Sequence, residues 1–240
     1  MKRLDPHLPT PAENLAVDEA LLDRCEAGEG AETLVFWEPA TTFVVVGYAN
    51  KAATEVNLAA CEKQGVPVFR RCSGGGTVVQ LPGGLNYSLV LRITETGPTR
   101  NITAANQFIM EKNRAAIAEL LPAAEISVRG HTDLCVGDLK FAGNSQRRRK
   151  KFLLFHGTLL LDCDLACIGE LLLMPTLQPD YRASRPHSDF VTNLKLPAEQ
   201  VKAALAKAWD ANEPAPALPA ETISRLVAEK YSVNSWNLKF

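Results

Sequence analysis

The residues best equipped for chemistry form two blocks, one around residue 73 and one around residue 140. In the first, Arg70-Arg71-Cys72-Ser73-Gly74-Gly75-Gly76 joins two guanidinium groups and a hydroxyl to three consecutive glycines. Consecutive glycines let a backbone approach a ligand and turn its amide hydrogens toward an anion, while neighbouring arginines add charge and paired donors. The segment is not a P-loop, because the Gly-Lys-Ser/Thr ending is absent. Read alone, it is either an anion cradle or a flexible turn. Further along, Cys163 and Cys167 are four residues apart with His156 nearby. No second pair has the spacing of a zinc site, so buried thiols are expected rather than metal ligands. The basic run Arg147 to Lys151 reads as a solvated tip or as a surface that steers an acidic partner. It lacks the interleaved aromatics that stack nucleic-acid bases.

The string RRCSGGGTVVQLPGGLNYS resembles the ligand loop of the lipoate-protein ligase A family, where paired arginines and Ser-Gly-Gly-Gly precede a strand and then an Asn-containing strand. A second string, GHTDLCVGDLKFAGNSQRRRKKFLLFHGTLLLDCDL, is similar to the family's segment with an Asp, then an essential Lys followed by x-x-Gly-x-Ala/Ser, then His-Gly-Thr-Leu-Leu. Weaker likenesses in NLAVDEALL, FVVVGYANKAATEVN, DFVTNL and NSWN extend it over nearly the whole chain. The resemblance implies a biotin/lipoate-ligase-like catalytic domain in the short form that lacks an accessory C-terminal domain. It implies lipoate as substrate, ATP and Mg²⁺ as cofactors, and a lysine of a lipoyl-carrier domain as acceptor, with a separate accessory subunit as a further partner.

Lys140 then matches the essential lysine, whose ammonium faces the acyl carbonyl and the α-phosphate. A fixed cation there stabilises charge that grows in the transition state; the alternative is an exposed lysine on a strand. Arg70, Arg71, Ser73, Gly74, Gly75 and Gly76 match the loop that wraps the acyl chain and the adenylate. Asn86, Gly143, Ser145 and His156 match further binding positions, although Asn86 and His156 also suit structural roles. Asp133 matches an acidic position beside the nucleotide where a carboxylate could hold Mg²⁺, or it opens a turn.

Two segments depart from the family. Gln80-Leu81 stands where His-Asp is common, and Gln178 to His187 matches the adenylate-covering loop poorly. Three readings follow. A ligase makes acyl-AMP and passes the acyl group to the acceptor lysine. An octanoyl or lipoyl transferase works through a cysteine thioester and needs a thiol beside Lys140; Glu125 and Met174 stand at the two positions where related transferases carry that cysteine. A non-catalytic carrier binder would keep only the fold.

The elements that must position these residues are legible from periodicity. Asn14 to Leu22 predicts an opening helix. Thr33 to Trp37 and Thr42 to Val46 predict two strands joined by a turn, Asn57 to Gln64 a helix, and Val66 to Arg71 a strand. Thr77 to Gln80 and Leu85 to Leu91 predict strands around Pro82-Gly83-Gly84. A helix over Asn106 to Leu121 stops before Pro122. Glu125 to Val128, Asp133 to Val136, Leu139 to Gln146 and Phe152 to Leu161 predict four strands, the last two a hairpin tipped by Arg147 to Lys151. Asp164 to Leu173 is helical, Pro175 to Pro186 irregular, and Ala198 to Trp209 and Glu221 to Tyr231 helical. The order predicts an α+β fold, a mixed sheet with flanking helices, as one domain over 1–240, with Ala211 to Pro219 a linker to a C-terminal helix.

Composition bounds the rest. With 26 Lys+Arg against 27 Asp+Glu there is no whole-chain field to favour nucleic acid or an anionic membrane. No apolar run approaches the roughly 18 residues of a spanning helix, and the start has no secretory apolar stretch. Six cysteines at irregular spacing predict reduced thiols and a cytoplasmic protein.

Overall fold

Local chemistry sets the first helix. In the computed structural model, which describes residues 1–240, β1 (Lys2–Leu4) leads to Thr10. The Thr10 hydroxyl accepts from Glu13 N at 3.2 Å, and the Glu13 carboxylate accepts from Thr10 N at 3.0 Å. This capping box, with Pro11 in the first turn, starts α1 (Pro11–Glu26) three residues ahead of the apolar pattern. There follow β2 (Thr33–Trp37), β3 (Phe43–Val46), α2 (Ala52–Glu55), α3 (Leu58–Gln64), β4 (Val68–Arg70), β5 (Val78–Gln80) and β6 (Gly84–Arg92). Asn101 caps α4 (Ile102–Leu120), which precedes β7 (Ile126–Arg129), β8 (Asp133–Val136), β9 (Leu139–Arg148) and β10 (Phe152–Leu160). The rest comprises α5 (Ala166–Leu171), a 3-10 turn at Asp180–Arg182, α6 (His187–Phe190), α7 (Ala198–Ala208), β11 (Glu213–Pro214), α8 (Ala220–Leu226) with a π-helical extension Val227–Tyr231, and α9 (Asn234–Asn237).

Eight strands form a mixed sheet in the order β11-β1-β2-β6-β10-β9-β8-β7, and three form a second sheet, β4-β3-β5. The α+β expectation holds, and two pairs of strands adjacent in sequence do not pair with each other. β2 and β3, like β5 and β6, divide between the sheets. The reason is that all four residues of β3 are buried: Phe43 and Val45 pack toward α1, Val44 and Val46 toward α2, α3 and α5. A strand apolar on both faces needs cover on both, which a place between layers supplies.

Alternation in β6 and β10 separates core from cleft. Leu85, Leu89, Leu153, Phe155 and Leu159 join the core beneath α4 and α7. Asn86, Ser88, His156 and Thr158 turn to the opposite face. The charged hairpin tip is exposed, as its sequence predicts, and it is also anchored. β9 runs through Arg148, Arg149 pairs with Asp23 at 2.8 Å, and Glu26 accepts from the backbone N–H groups of Lys150, Lys151 and Phe152. Ala211 to Pro219 is likewise tied in: Glu213 and Pro214 pair in parallel with β1, and Arg24 donates to Ala217 O at 3.0 Å. No helix is long and apolar enough to cross a membrane.

Candidate active site

A cleft of about 480 Å³ lies between the polar face of the large sheet and the small sheet. Its walls take Asn86, Ser88, His156 and Thr158 from β6 and β10, Gly143 and Ser145 from β9, and Val45, Val78 and Gln80 from the small sheet. Leu15, Trp37, Val45 and Val78 make an apolar wall; Lys140, Asp133 and Arg182 make a charged one, with His187 beside them.

The glycine loop is pinned by its carbonyls. Arg71 donates to Gly74 O and to Gly76 O at 2.8 Å, Ser145 Oγ donates to Gly74 O at 2.8 Å, and Asn50 donates to Gly75 O at 3.1 Å. The amide N–H groups of Gly74, Gly75 and Gly76 donate to no protein acceptor. Gly75 has φ +80°, and a Cβ on Gly47 would run into its carbonyl oxygen, so neither position accommodates a side chain. These three backbone donors beside the cleft are free of the protein, as the backbone of an anion cradle has to be.

The two arginines of this block do not act as free donors. Arg71 lines the cleft, but its fork is committed to loop carbonyls and to Ser73 Oγ at 3.0 Å, and burial lowers its pKa to about 10. Arg70 was expected in the binding loop and is a correction. It is fully buried and absent from the cleft, with donors spent on Gly47 O (2.8 Å), Asn50 O (2.7 Å), Trp236 O (3.0 Å) and Lys239 O (2.6 Å). Alternation puts neighbours of a strand on opposite sides, so only one arginine of an adjacent pair faces the cleft. Arg70 instead clamps the loop after β3 to the C-terminal segment.

Lys140 reaches the cleft through an irregularity. The β8–β9 register passes from Leu134 opposite Ala142 to Cys135 opposite Lys140, so Phe141 is an extra residue. This bulge reverses the parity of β9, and Lys140 and Gly143 share a face although they are three positions apart. A Cβ on Gly143 would lie 2.8 Å from Lys140 Nζ, so the missing side chain is the room that the ammonium occupies. Lys140 Nζ stands 2.8 Å from Asp133 Oδ1, and Tyr181 OH donates to Asp133 Oδ2 at 2.7 Å. Thr192 N donates to Lys140 O at 2.9 Å. Phe190 covers this end, its ring 6.0 Å from the ammonium and 4.6 Å from the Arg182 guanidinium.

Asp133 is therefore the counter-ion of Lys140, not a preformed metal ligand. Both its oxygens are engaged, and no group of three or more His, Cys, Asp or Glu could hold a metal ion. The residues present do not fit a protein-held Mg²⁺.

Asn86 pairs reciprocally with Gln80 (2.8 and 3.0 Å) and accepts from Thr158, a closed set. His156 lies between Ser73 Oγ (2.5 Å from Nε2) and Asp18 Oδ2 (2.6 Å from Nδ1). Ser73 is buried behind the wall, while Gly75, Gly76, Gly143, Ser145 and His156 line it. Sequence reasoning missed Asp18, Tyr181, Arg182 and Phe190. Each lay in a segment with a weak likeness, Asp18 in NLAVDEALL, Tyr181 and Arg182 in Gln178 to His187, and Phe190 in DFVTNL, but none stood out as a site residue. No cysteine lines the cleft. Cys135 pairs across from Lys140 but is fully buried, 3.6 Å from Tyr181 OH, and burial pushes its thiol pKa up.

Residues 10–210 match the family model of the lipoyl protein ligase A/B catalytic domain. A probable lipoate-protein ligase A of Mycoplasma pneumoniae is 32% identical over 68% of this chain and 46% of its own length, so the chain spans about half of that relative. An octanoyltransferase LipM of Geobacillus kaustophilus is 27% identical over 95% of this chain and 94% of its own. The bi-partite lipoate protein ligase of Thermoplasma acidophilum, described with its E2 lipoyl domain, superposes with a TM-score of 0.83 at 23% identity over 99% of this chain and 96% of that one. A lipoate-protein ligase A bound with ATP superposes at 0.77 and 24% identity over 99% of each. Both structures share this fold.

Proposed function

The chain belongs to the lipoyl protein ligase A/B catalytic-domain family of lipoate ligases and octanoyltransferases, and from that premise we propose that it is a lipoate-protein ligase. It joins lipoate or octanoate to AMP at the expense of ATP and passes the acyl group to a lysine of a lipoyl-carrier domain. The observation that carries this reading is the Lys140 ammonium, held by Asp133 in the space left by Gly143, in a cleft also lined by Gly75 and Gly76, whose amides have no protein acceptor. In the first step a carboxylate oxygen attacks the α-phosphorus and pyrophosphate departs. In the second the acceptor amine attacks the acyl carbonyl and AMP departs. Both steps concentrate negative charge on oxygens that a cation and backbone amides stabilise.

ATP and Mg²⁺ enter together in this reading, because the protein has no metal site of its own and nucleotide phosphates carry Mg²⁺ with them. The apolar wall of Leu15, Trp37, Val45 and Val78 suits a medium acyl chain. The bi-partite assembly of the Thermoplasma relative supports an accessory subunit as a second partner. At the hairpin tip, exposed Lys150 and Lys151 are left to meet an acidic carrier, since Arg149 is engaged by Asp23.

The transferase reading is favoured by the match to LipM over 95% of the chain and by Cys135 opposite Lys140. Against it, that thiol lies outside the cleft wall, and burial raises its pKa, which disfavours the thiolate a thioester needs. The deciding experiment is mass spectrometry of a lipoyl-domain acceptor incubated with the protein, free lipoate and Mg·ATP, with and without candidate accessory proteins. Acylation from free acid with ATP is expected. Acylation only from an acyl-carrier protein, without ATP, would replace the ligase by the transferase.

A further inference from the structure

Asp18 has no role in the sequence reading, yet it ends a directional chain of hydrogen bonds that begins at the glycine loop. Arg71 Nε donates to Ser73 Oγ at 3.0 Å. Ser73 Oγ lies 2.5 Å from His156 Nε2, and His156 Nδ1 lies 2.6 Å from Asp18 Oδ2. A carboxylate only accepts, so Nδ1 carries the proton; the neutral ring then offers Nε2 as an acceptor, and the Ser73 hydroxyl supplies its hydrogen there. With its hydrogen directed to His156, Ser73 Oγ keeps a lone pair for Arg71. The same guanidinium holds Gly74 O and Gly76 O, and so fixes the loop whose amides stand free. The four residues come from α1, the loop after β4, and β10, so the chain ties three elements together. Asp18 is buried, and its second oxygen has no partner, so the contact with His156 is its sole side-chain hydrogen bond.

We infer that Asp18 is a positioning residue: by holding His156 in the Nδ1–H tautomer it keeps Ser73 and Arg71 locked on the glycine loop, and so keeps the anion cradle formed. This inference rests on the proposed binding of a nucleotide there only for its functional consequence; the tautomer does not depend on that reading. Asp18→Ala removes the acceptor and lets the ring shift its proton to Nε2, which competes with the Ser73 hydroxyl. Asp18→Asn leaves an amide oxygen that still accepts from Nδ1–H and so restores the lock. Ser73→Ala cuts the chain one link nearer the loop with little change in packing, and Ser73→Thr preserves it.

The test is nitrogen-15 NMR of the His156 ring at neutral pH, with ATP affinity measured by calorimetry on the full chain. Expected are an Nδ1–H ring in the wild type and in Asp18→Asn, and a mixed or Nε2–H ring in Asp18→Ala. Affinity should fall by about tenfold or more in Asp18→Ala and Ser73→Ala, the size of one lost charge-assisted hydrogen bond. It should stay within about threefold of wild type in Asp18→Asn and Ser73→Thr. An Nε2–H ring in the wild type, or an unchanged ring in folded Asp18→Ala, overturns the inference. Loss of affinity in all four folded variants alike also overturns it. A wild type with the expected tautomer that binds no ATP overturns the nucleotide reading and, with it, the functional consequence.

Discussion

Gly143→Ala tests most sharply how the fold builds the cationic centre. A Cβ at this position would stand 2.8 Å from Lys140 Nζ and 2.9 Å from Cε, where ordinary contact begins near 3.4 Å. The nearer neighbours are the far end of a flexible side chain, so the strand should keep its register and the ammonium should move. Relief needs a shift of more than half an ångström, away from Asp133 at 2.8 Å and from the place where charge develops. A displacement of about 1 Å at a reacting centre lowers rates on the order of a hundredfold. Stability should change by less than about 1 kcal/mol, a shift in Tm of no more than about 2–4 °C for a chain of this size. The assay is acyl transfer from lipoate and ATP to a lipoyl-domain acceptor, with thermal melting alongside. A double-mutant cycle adds the decisive control: if Gly143 acts only by making room for Lys140, then Lys140→Met with Gly143→Ala is no slower than Lys140→Met alone. Near-wild-type turnover of a folded Gly143→Ala protein, or additive losses in the cycle, would refute the reasoning.

Lys140→Met alone should leave the melting curve nearly unchanged and lower transfer by roughly a hundredfold or more, since a fixed cation in such a centre is worth several kcal/mol; normal turnover would remove it from the chemistry. Arg70→Met should instead act on stability. It strips donors from buried carbonyls, each costing about 1–3 kcal/mol, for a combined loss near 3 kcal/mol or more and a Tm lower by around 6–12 °C; a melting curve within 2 °C of wild type would contradict its role as a clamp. Replacing Cys135, Cys163 and Cys167 together by Ala should reduce stability more than transfer rate, and no hydroxylamine-sensitive thioester should form on the wild type; a trapped thioester with lost transfer in the folded variant would establish the transferase. Burial pushes the Cys72 thiol from 9.0 up to about 12. Its unfolded form therefore loses a proton above pH 9 while the folded form keeps it, so stability falls as pH rises through 9 to 12, by about 2–3 kcal/mol at pH 11. Urea unfolding between pH 8 and 11 should show this slope in the wild type and a shallower one in Cys72→Ala; equal slopes would contradict it.

The amino-acid sequence by itself determined what depends on near neighbours. A β-branched and aromatic run located Thr33 to Trp37 to the residue, Asp133 to Val136 was likewise found, and Pro122 stopped α4 within one residue. Apolar periodicity begins α1 three residues late, because the capping box at Thr10 rather than the apolar pattern sets its start. The glycine block and the Lys140, Gly143, Ser145 spacing carried the family likeness, because a backbone that must approach a ligand tolerates few residue types. Tertiary structure decided which of those residues meet. Lys140 and Gly143 share a face only because β9 bulges against β8, and a period of two cannot reveal an extra residue whose partner lies on another strand. Arg70 and Arg71 are chemically alike, yet Trp236 and Lys239 claim the first and the glycine loop the second. Asp18 reaches His156 across 138 positions. No local pattern encodes such partners: each hydrogen bond exists only after the helices and two sheets have packed, when burial leaves a polar group with few acceptors or donors within reach.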